Sequence, residues 1–202
     1  MNETASPAAL ESPRLAAIVF TDVAGYSALM QANEAGTIGS VEADFKRMRE
    51  VCAQTGGEVL NTMGDGMMLS FGSAVQAVAF ALQVQNEFAL RKAGQPPAQR
   101  LEHRIGIHLG DVFRLEGGHL AGDGVNIAAR LESRAPRGGT CISQTDYETV
   151  KGKLPMRASP LGVQTFKNIA EPITVWQLLP DGDEMPAPGP AAAPIPPNKL
   201  AS

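Results

Sequence analysis

The stretch EVLNTMGDGMMLSF, residues 58–71, leaves the backbone little choice. Two apolar, strand-like runs flank a Gly64-Asp65-Gly66 tripeptide, and such a tripeptide between such runs is a tight-turn signal. The stretch therefore predicts a hairpin over 58–62 and 67–71 with Asp65 at its tip. A carboxylate there is well placed to hold a metal ion. Asn61, three residues before Gly64, puts a neutral amide on the same hairpin.

The hairpin is one part of a longer rhythm. LAAIVF (15–20) is a short apolar run ending near Asp22, the pattern of a buried central strand. Residues from about 25 to 54 read as helical with a break near Asn33 to Gly39. Val41, Phe45, Met48 and Cys52 then form the stripe of a half-buried helix, which Gly56-Gly57 stops. Residues 73–94 form a long helix with Ser73 as N-cap, Arg91 and Lys92 near its end and Gly94 beyond. LEHRIGIHLGDVFRL (101–115) reads as a strand, GDGVNIAARLESRA (122–135) as a glycine loop entering a helix, and 139–143 and 172–178 as closing strands. The order β-α-β-β-α-β, with further α and β after it, is an α+β plan: a ferredoxin-like split βαβ sheet with helices packed on one face.

The chain has 202 residues, enough for one domain with tails. We expect a domain over 14–180, a disordered segment over 1–13, and an extended, mobile Pro/Ala-rich tail over 181–202. There is no internal repeat. A net charge of −4 gives no electrostatic case for nucleic acid or an anionic membrane. No apolar run approaches the ~20 residues that span a bilayer. The first residues lack the basic and apolar regions of a secretory signal, so a cytoplasmic protein is expected. Cys52 and Cys141 lack CxxC spacing and read as buried, reduced thiols.

In the split βαβ topology the first strand and the hairpin are neighbours, so Asp22 and Asp65 can meet at one point. Two hard oxygen ligands favour Mg²⁺ or Mn²⁺, and with them phosphate chemistry. The segment Val23-Ala24-Gly25-Tyr26 leads into a helix, whose free N–H groups suit an anion such as a triphosphate. Taken singly, Asp22 reads equally well as a helix cap and Asp65 as a turn residue; the combination gives the metal reading its force. Asn126 and Arg130, spaced i, i+4, share one helical face and could donate to ribose and phosphate oxygens. On spacing alone, a surface face with Arg130 paired to Glu132 or Glu50 explains them better. His103 and His108 lack partners at ligand spacing and read as structural. Trp176 reads as a core or interface plug, and Met63 lies close enough to Asn61 to line a pocket.

FTDVAGYS, the Gly64-Asp65 hairpin, RIGIHLGDV, GDGVNIAARLES and LGVQTFKNIAEPITVWQL together resemble, in order and spacing, the class III nucleotidyl cyclase catalytic domain. The resemblance runs over about residues 14–179. It implies a homodimer whose two sites lie in the cleft between subunits, each using two Mn²⁺ or Mg²⁺ ions. One subunit would supply the metal ligands Asp22, Asp65 and the Val23 backbone, with Phe20 and Val23 to Tyr26 beside the substrate. The other would supply Asn126 and Arg130 to steady the transition state. Lys167 matches a late lysine that contacts the triphosphate.

The departures concern the base. Adenylyl cyclases of this class usually have Lys where this chain has Asn61, and Asp or Thr where it has His119. Guanylyl cyclases use Glu and a small polar residue there. One explanation is an adenylyl cyclase with a non-standard base pocket. The other is a changed base: an Asn amide both donates and accepts, which suits uracil or cytosine, and His119 could add a donor or stack. Short cyclases with non-standard base-reading pairs resemble the pyrimidine cyclases of bacterial antiphage (Pycsar) systems. That implies UTP as substrate, cyclic UMP as second messenger, and a separate effector chain. A silent nucleotide-binding dimer module is the remaining alternative.

Overall fold

A computed structural model describes residues 12–96, 100–115 and 120–179. The expected segments 1–13 and 181–202 lie wholly or mainly outside the described residues, and His119 lies outside them too.

The elements are β1 (Arg14–Val23), α1 (Tyr26–Ala32), α2 (Glu34–Gln54), β2 (Gly57–Met63), β3 (Gly66–Phe71), α3 (Ala74–Lys92), β4 (His103–Arg114), β5 (Leu120–Ala121), α4 (Asp123–Arg134), β6 (Thr140–Ser143), α5 (Gln144–Val150), β7 (Arg157–Gln164) and β8 (Ile173–Leu179). They build one mixed sheet in the order β2-β3-β1-β4-β6-β8-β7, with β5 paired to β4. The first four strands are antiparallel in the split βαβ order, and β4 pairs with β6 in parallel across the α4 crossover.

β1 is central because both its faces are apolar. Ala17 and Val19 enter the main core with Phe45, Met48, Phe80 and Phe88 of α2 and α3. Ala16 and Ile18 point the other way, toward Ala128 of α4. The long helices thus cover one face, as the α+β plan requires, and α4 crosses β1 and β4 on the other. Of the described helices, none is long and apolar enough to cross a membrane.

Local chemistry explains the boundaries. The break after α1 is the single residue Asn33, whose side chain accepts from the Gly36 N–H at 3.0 Å and caps α2. Ser73 caps α3 by accepting from Gln76 N–H. Two elements carry no strong sequence pattern. α5 is seven residues held by a capping box between Ser143 and Asp146. β7 is an edge strand that tolerates Pro160 at a register shift.

Candidate active site

The hairpin seats on the end of β1. Thr21 faces Met67 in register, and the Thr21 hydroxyl oxygen accepts the Met67 N–H at 3.1 Å. Any side chain at Gly66 would run into the Thr21 carbonyl, so this glycine permits the close approach. The two-residue Gly64-Asp65 turn, with Gly64 at φ 58°, then carries Asp65 over the strand end. Asp22 and Asp65 come within hydrogen-bonding reach of one another. Burial first, and the Asp22 charge second, raise the Asp65 pKa from its ordinary value.

The charge that offsets this pair is Arg104 of β4, which lies opposite Asp22 in the β1–β4 register. Its Nη2 donates to Asp22 Oδ2, and its Nε lies 3.1 Å from Glu132 Oε1 on α4. Burial pushes the Glu132 carboxyl up to about 7, against the pull of Arg104. α4 reaches this position because residue 106 is glycine: a Cβ there would overlap the Glu132 nitrogen and the Ala128 oxygen. Sequence reasoning missed Arg104 and used Glu132 only as a surface partner. The signal for both was the glycine in RIGIH, which marks where a helix crosses the strand beside Arg104.

The other expected residues fall into two groups. Phe20 packs beside Met68 and Ile18, Val23 and Ala24 are buried, Tyr26 packs on the main core, and all lie within a few residues of Asp22. Of the expected free N–H groups after Asp22, one is already used. Ala24 N–H is spent on the Glu102 carbonyl at 2.8 Å, and α1 has only seven residues. Gly25, at φ 77°, is instead covered by the Arg137 guanidinium, whose Nη2 would lie 2.6 Å from a Cβ at that position. Asn61 is exposed on β2, opposite Met68.

Asn126 and Arg130 are not gathered here. Both lie on α4, but on the side away from its buried residues Ala128 and Leu131. Among the described residues no hydrogen bond or ion pair joins either side chain to anything, Asp22 and Asp65 included. The expected surface pairing of Arg130 is not found: Glu132 faces Arg104, and Glu50 pairs with Arg47. Lys167 is exposed in the β7–β8 loop. His103 is fully buried against Asp44, His108 meets Ser143 Oγ at 3.0 Å, and Trp176 stacks on Tyr147 while its N–H donates to Gln144. Cys52 and Cys141 are buried and free, and burial pushes their thiols up to about 11 and about 12.

Among the described residues no group of three or more His, Cys, Asp or Glu could hold a metal. Two adjacent carboxylates with a backbone carbonyl are nonetheless a fitting partial set for Mg²⁺ or Mn²⁺, which take one or two carboxylates together with substrate phosphates. The arrangement can hold a cation and a polyphosphate, and it lacks a second donor face.

Residues 10–178 match the model of the adenylate and guanylate cyclase catalytic domain. A putative adenylate cyclase 3 of Rhizobium meliloti is 37% identical over 184 residues, covering 91% of this chain and 31% of that protein. The chain spans only 27–40% of the length of the curated relatives it matches. The crystal structure of an adenylate/guanylate cyclase/hydrolase from Silicibacter pomeroyi is 38% identical, with a TM-score of 0.78 over 84% of this chain and 99% of that one. The adenylyl cyclase CyaB of P. aeruginosa, 23% identical, shares the fold at a TM-score of 0.72 over 83% of this chain and 95% of its own.

Proposed function

The chain belongs to the adenylate and guanylate cyclase catalytic domain family, and we propose that it converts a nucleoside triphosphate to a 3′,5′-cyclic nucleotide and pyrophosphate. The observation that carries this reading is the meeting of Asp22 and Asp65 beside Arg104. Asp22, Asp65 and the Val23 carbonyl would hold one or two Mn²⁺ or Mg²⁺ ions. When bound, the metal acidifies the ribose 3′-hydroxyl and neutralises phosphate charge.

The chain's own residues do the rest. The turn from Val23 to Tyr26 and Lys167 would orient the triphosphate in line for attack on the α-phosphorus. Arg130 would offer its guanidinium to charge growing on the α-phosphate, and Asn126 an amide to the ribose. Because both stand apart from Asp22 and Asp65, each site takes its aspartates from one copy and its Asn126/Arg130 face from another. That arrangement is a symmetric homodimer with two equivalent sites.

For the base, Asn61 supports a pyrimidine, with UTP favoured. Its carboxamide both donates and accepts, as the uracil edge requires, and it stands exposed on the outer hairpin strand. The product would then be a second messenger read by a separate effector chain. A second reading, cyclic AMP from ATP, is favoured by the name of the 37% identical relative. Incubation of the purified protein with ATP, GTP, UTP and CTP separately, with Mn²⁺, and mass spectrometry of the products decides between them. Cyclic UMP as the main product is expected. Dominant cyclic AMP removes the pyrimidine reading alone, and no cyclic product from any of the four removes the enzyme.

A further inference from the structure

Arg104 is held from two sides. Its Nη end lies on Asp22, and its Nε edge lies against Glu132, 3.1 Å away. Glu132 reaches it from α4, which the glycine at 106 lets cross the strand at backbone contact. The Glu132 side chain is only 13% exposed, and its Oε1, like Arg104 Nε, has no well-aligned hydrogen bond among the described residues. Such a contact is ionic rather than a directed bond, so Glu132 draws the guanidinium sideways without fixing it.

A divalent cation and Arg104 want the same Asp22 oxygen. With Glu132 pulling at its Nε edge, the guanidinium has a second anchor when a cation displaces it from Asp22. Without Glu132, the carboxylates left beside it among the described residues are Asp22 and Asp65, and it settles on them. We propose that Glu132 is a positioning residue for the metal site, which eases cation entry by retaining Arg104 as Arg104 gives up Asp22. This rests on the reading of Asp22 and Asp65 as metal ligands.

Mn²⁺ uptake by the nucleotide-free protein, followed by the EPR signal of free Mn²⁺ at pH 8, tests it without any turnover. Glu132→Gln is expected to weaken uptake by about tenfold, the low end for groups that orient a metal's ligands. Glu132→Asp keeps the charge but is a methylene too short for the contact, so it is expected to weaken uptake equally. If Glu132 acted by charge alone, Glu132→Asp would bind as the wild type does. Arg104→Met, which removes the competing cation, is expected to tighten uptake, and adding Glu132→Asp to it is expected to change nothing further. Unchanged or tighter uptake in Glu132→Asp overturns the proposal while leaving the cyclase reading intact. A wild-type protein that takes up no Mn²⁺ overturns the metal reading itself and this inference with it.

Discussion

His103 and Arg104 are neighbours on β4, yet successive side chains leave a strand on opposite faces, and these two enter unlike clusters. His103 enters the main core. Its Nε2 is 2.9 Å from Asp44 Oδ2, Asp44 also binds Arg91, and the Phe88 ring centroid is 5.3 Å away. The His103 and Asp44 side chains are 0% and 7% exposed. Arg104 and Asp22, by contrast, are 29% and 28% exposed. Each cluster joins an aspartate to bases from two elements or to a base shared with a second acid. The His103–Asp44 contact is enclosed, although Arg91 beside it is half exposed; the Asp22–Arg104 contact opens to solvent, where a cation or an anionic ligand can compete for it. Enclosure thus separates a polar contact that fastens the fold from an ion pair that can do chemistry.

The sharpest way to break that contrast is to remove the aspartate from each cluster. Asp44→Ala leaves the buried His103 ring nitrogen without its partner and frees the half-exposed Arg91, and an unsatisfied buried polar group typically costs ~1–3 kcal/mol. At ~2–4 °C per kcal/mol for a chain of this size, melting of the metal-free protein should fall by at least ~2 °C. Asp22→Ala should lower it far less, because Arg104 keeps Glu132 and Asp65 loses a like-charged neighbour. Equal losses in the two variants would show that the second cluster is structural too.

A somewhat smaller effect sharpens the functional side. Arg130→Ala removes a guanidinium with no partner among the described residues, so melting should not move. Activity should nevertheless fall by ~10²–10³, the usual loss for one donor to transition-state charge. Asp65→Ala should be inactive as well. Mixed together, the two inactive variants should recover activity, since a mixed dimer has one site with both intact halves. Failure to recover in a dimer verified as mixed would place Asn126 and Arg130 outside the partner's site.

Much of this was legible in the sequence, and the remainder is instructive. The stripe Val41, Phe45, Met48, Cys52 and the run LAAIVF marked surfaces that the structure buries, Leu15 at the start of the strand excepted, because apolar periodicity and burial have the same cause. The hairpin turn followed from Gly64 and Gly66. α5 and β7 were not legible, since one is a seven-residue helix held by a cap and the other an edge strand interrupted by proline. Asp22 and Asp65 stood out because each ends a strand-like run. Arg104 and Glu132 did not, because they lie 28 residues apart and meet only through the α4 crossover. Pairings of that kind depend on which helix crosses which strand. A single chain records it only indirectly, in the small residue that permits the crossing.

The smallest predicted effect tests the contrast through pH. Burial holds the His103 pKa below its ordinary 6.5 despite Asp44. Its stabilising contribution is therefore present above pH 6.5 and is lost as pH falls below it. Burial raises Glu132 instead, from 4.5 to about 7. Its contribution is present below pH 4.5 and is lost as pH rises toward 7. The two clusters thus pull stability in opposite directions over the same range. Glu132→Gln removes the second of these opposing dependences and keeps the shape. The melting temperature of Glu132→Gln minus that of the wild type should accordingly rise between pH 5 and 8. A gain on the order of 1 kcal/mol, screened by the nearby solvent, corresponds to ~2–4 °C. A difference that stays flat with pH would mean that Arg104 fully offsets the burial of Glu132. The open cluster would then be as well balanced as the closed one.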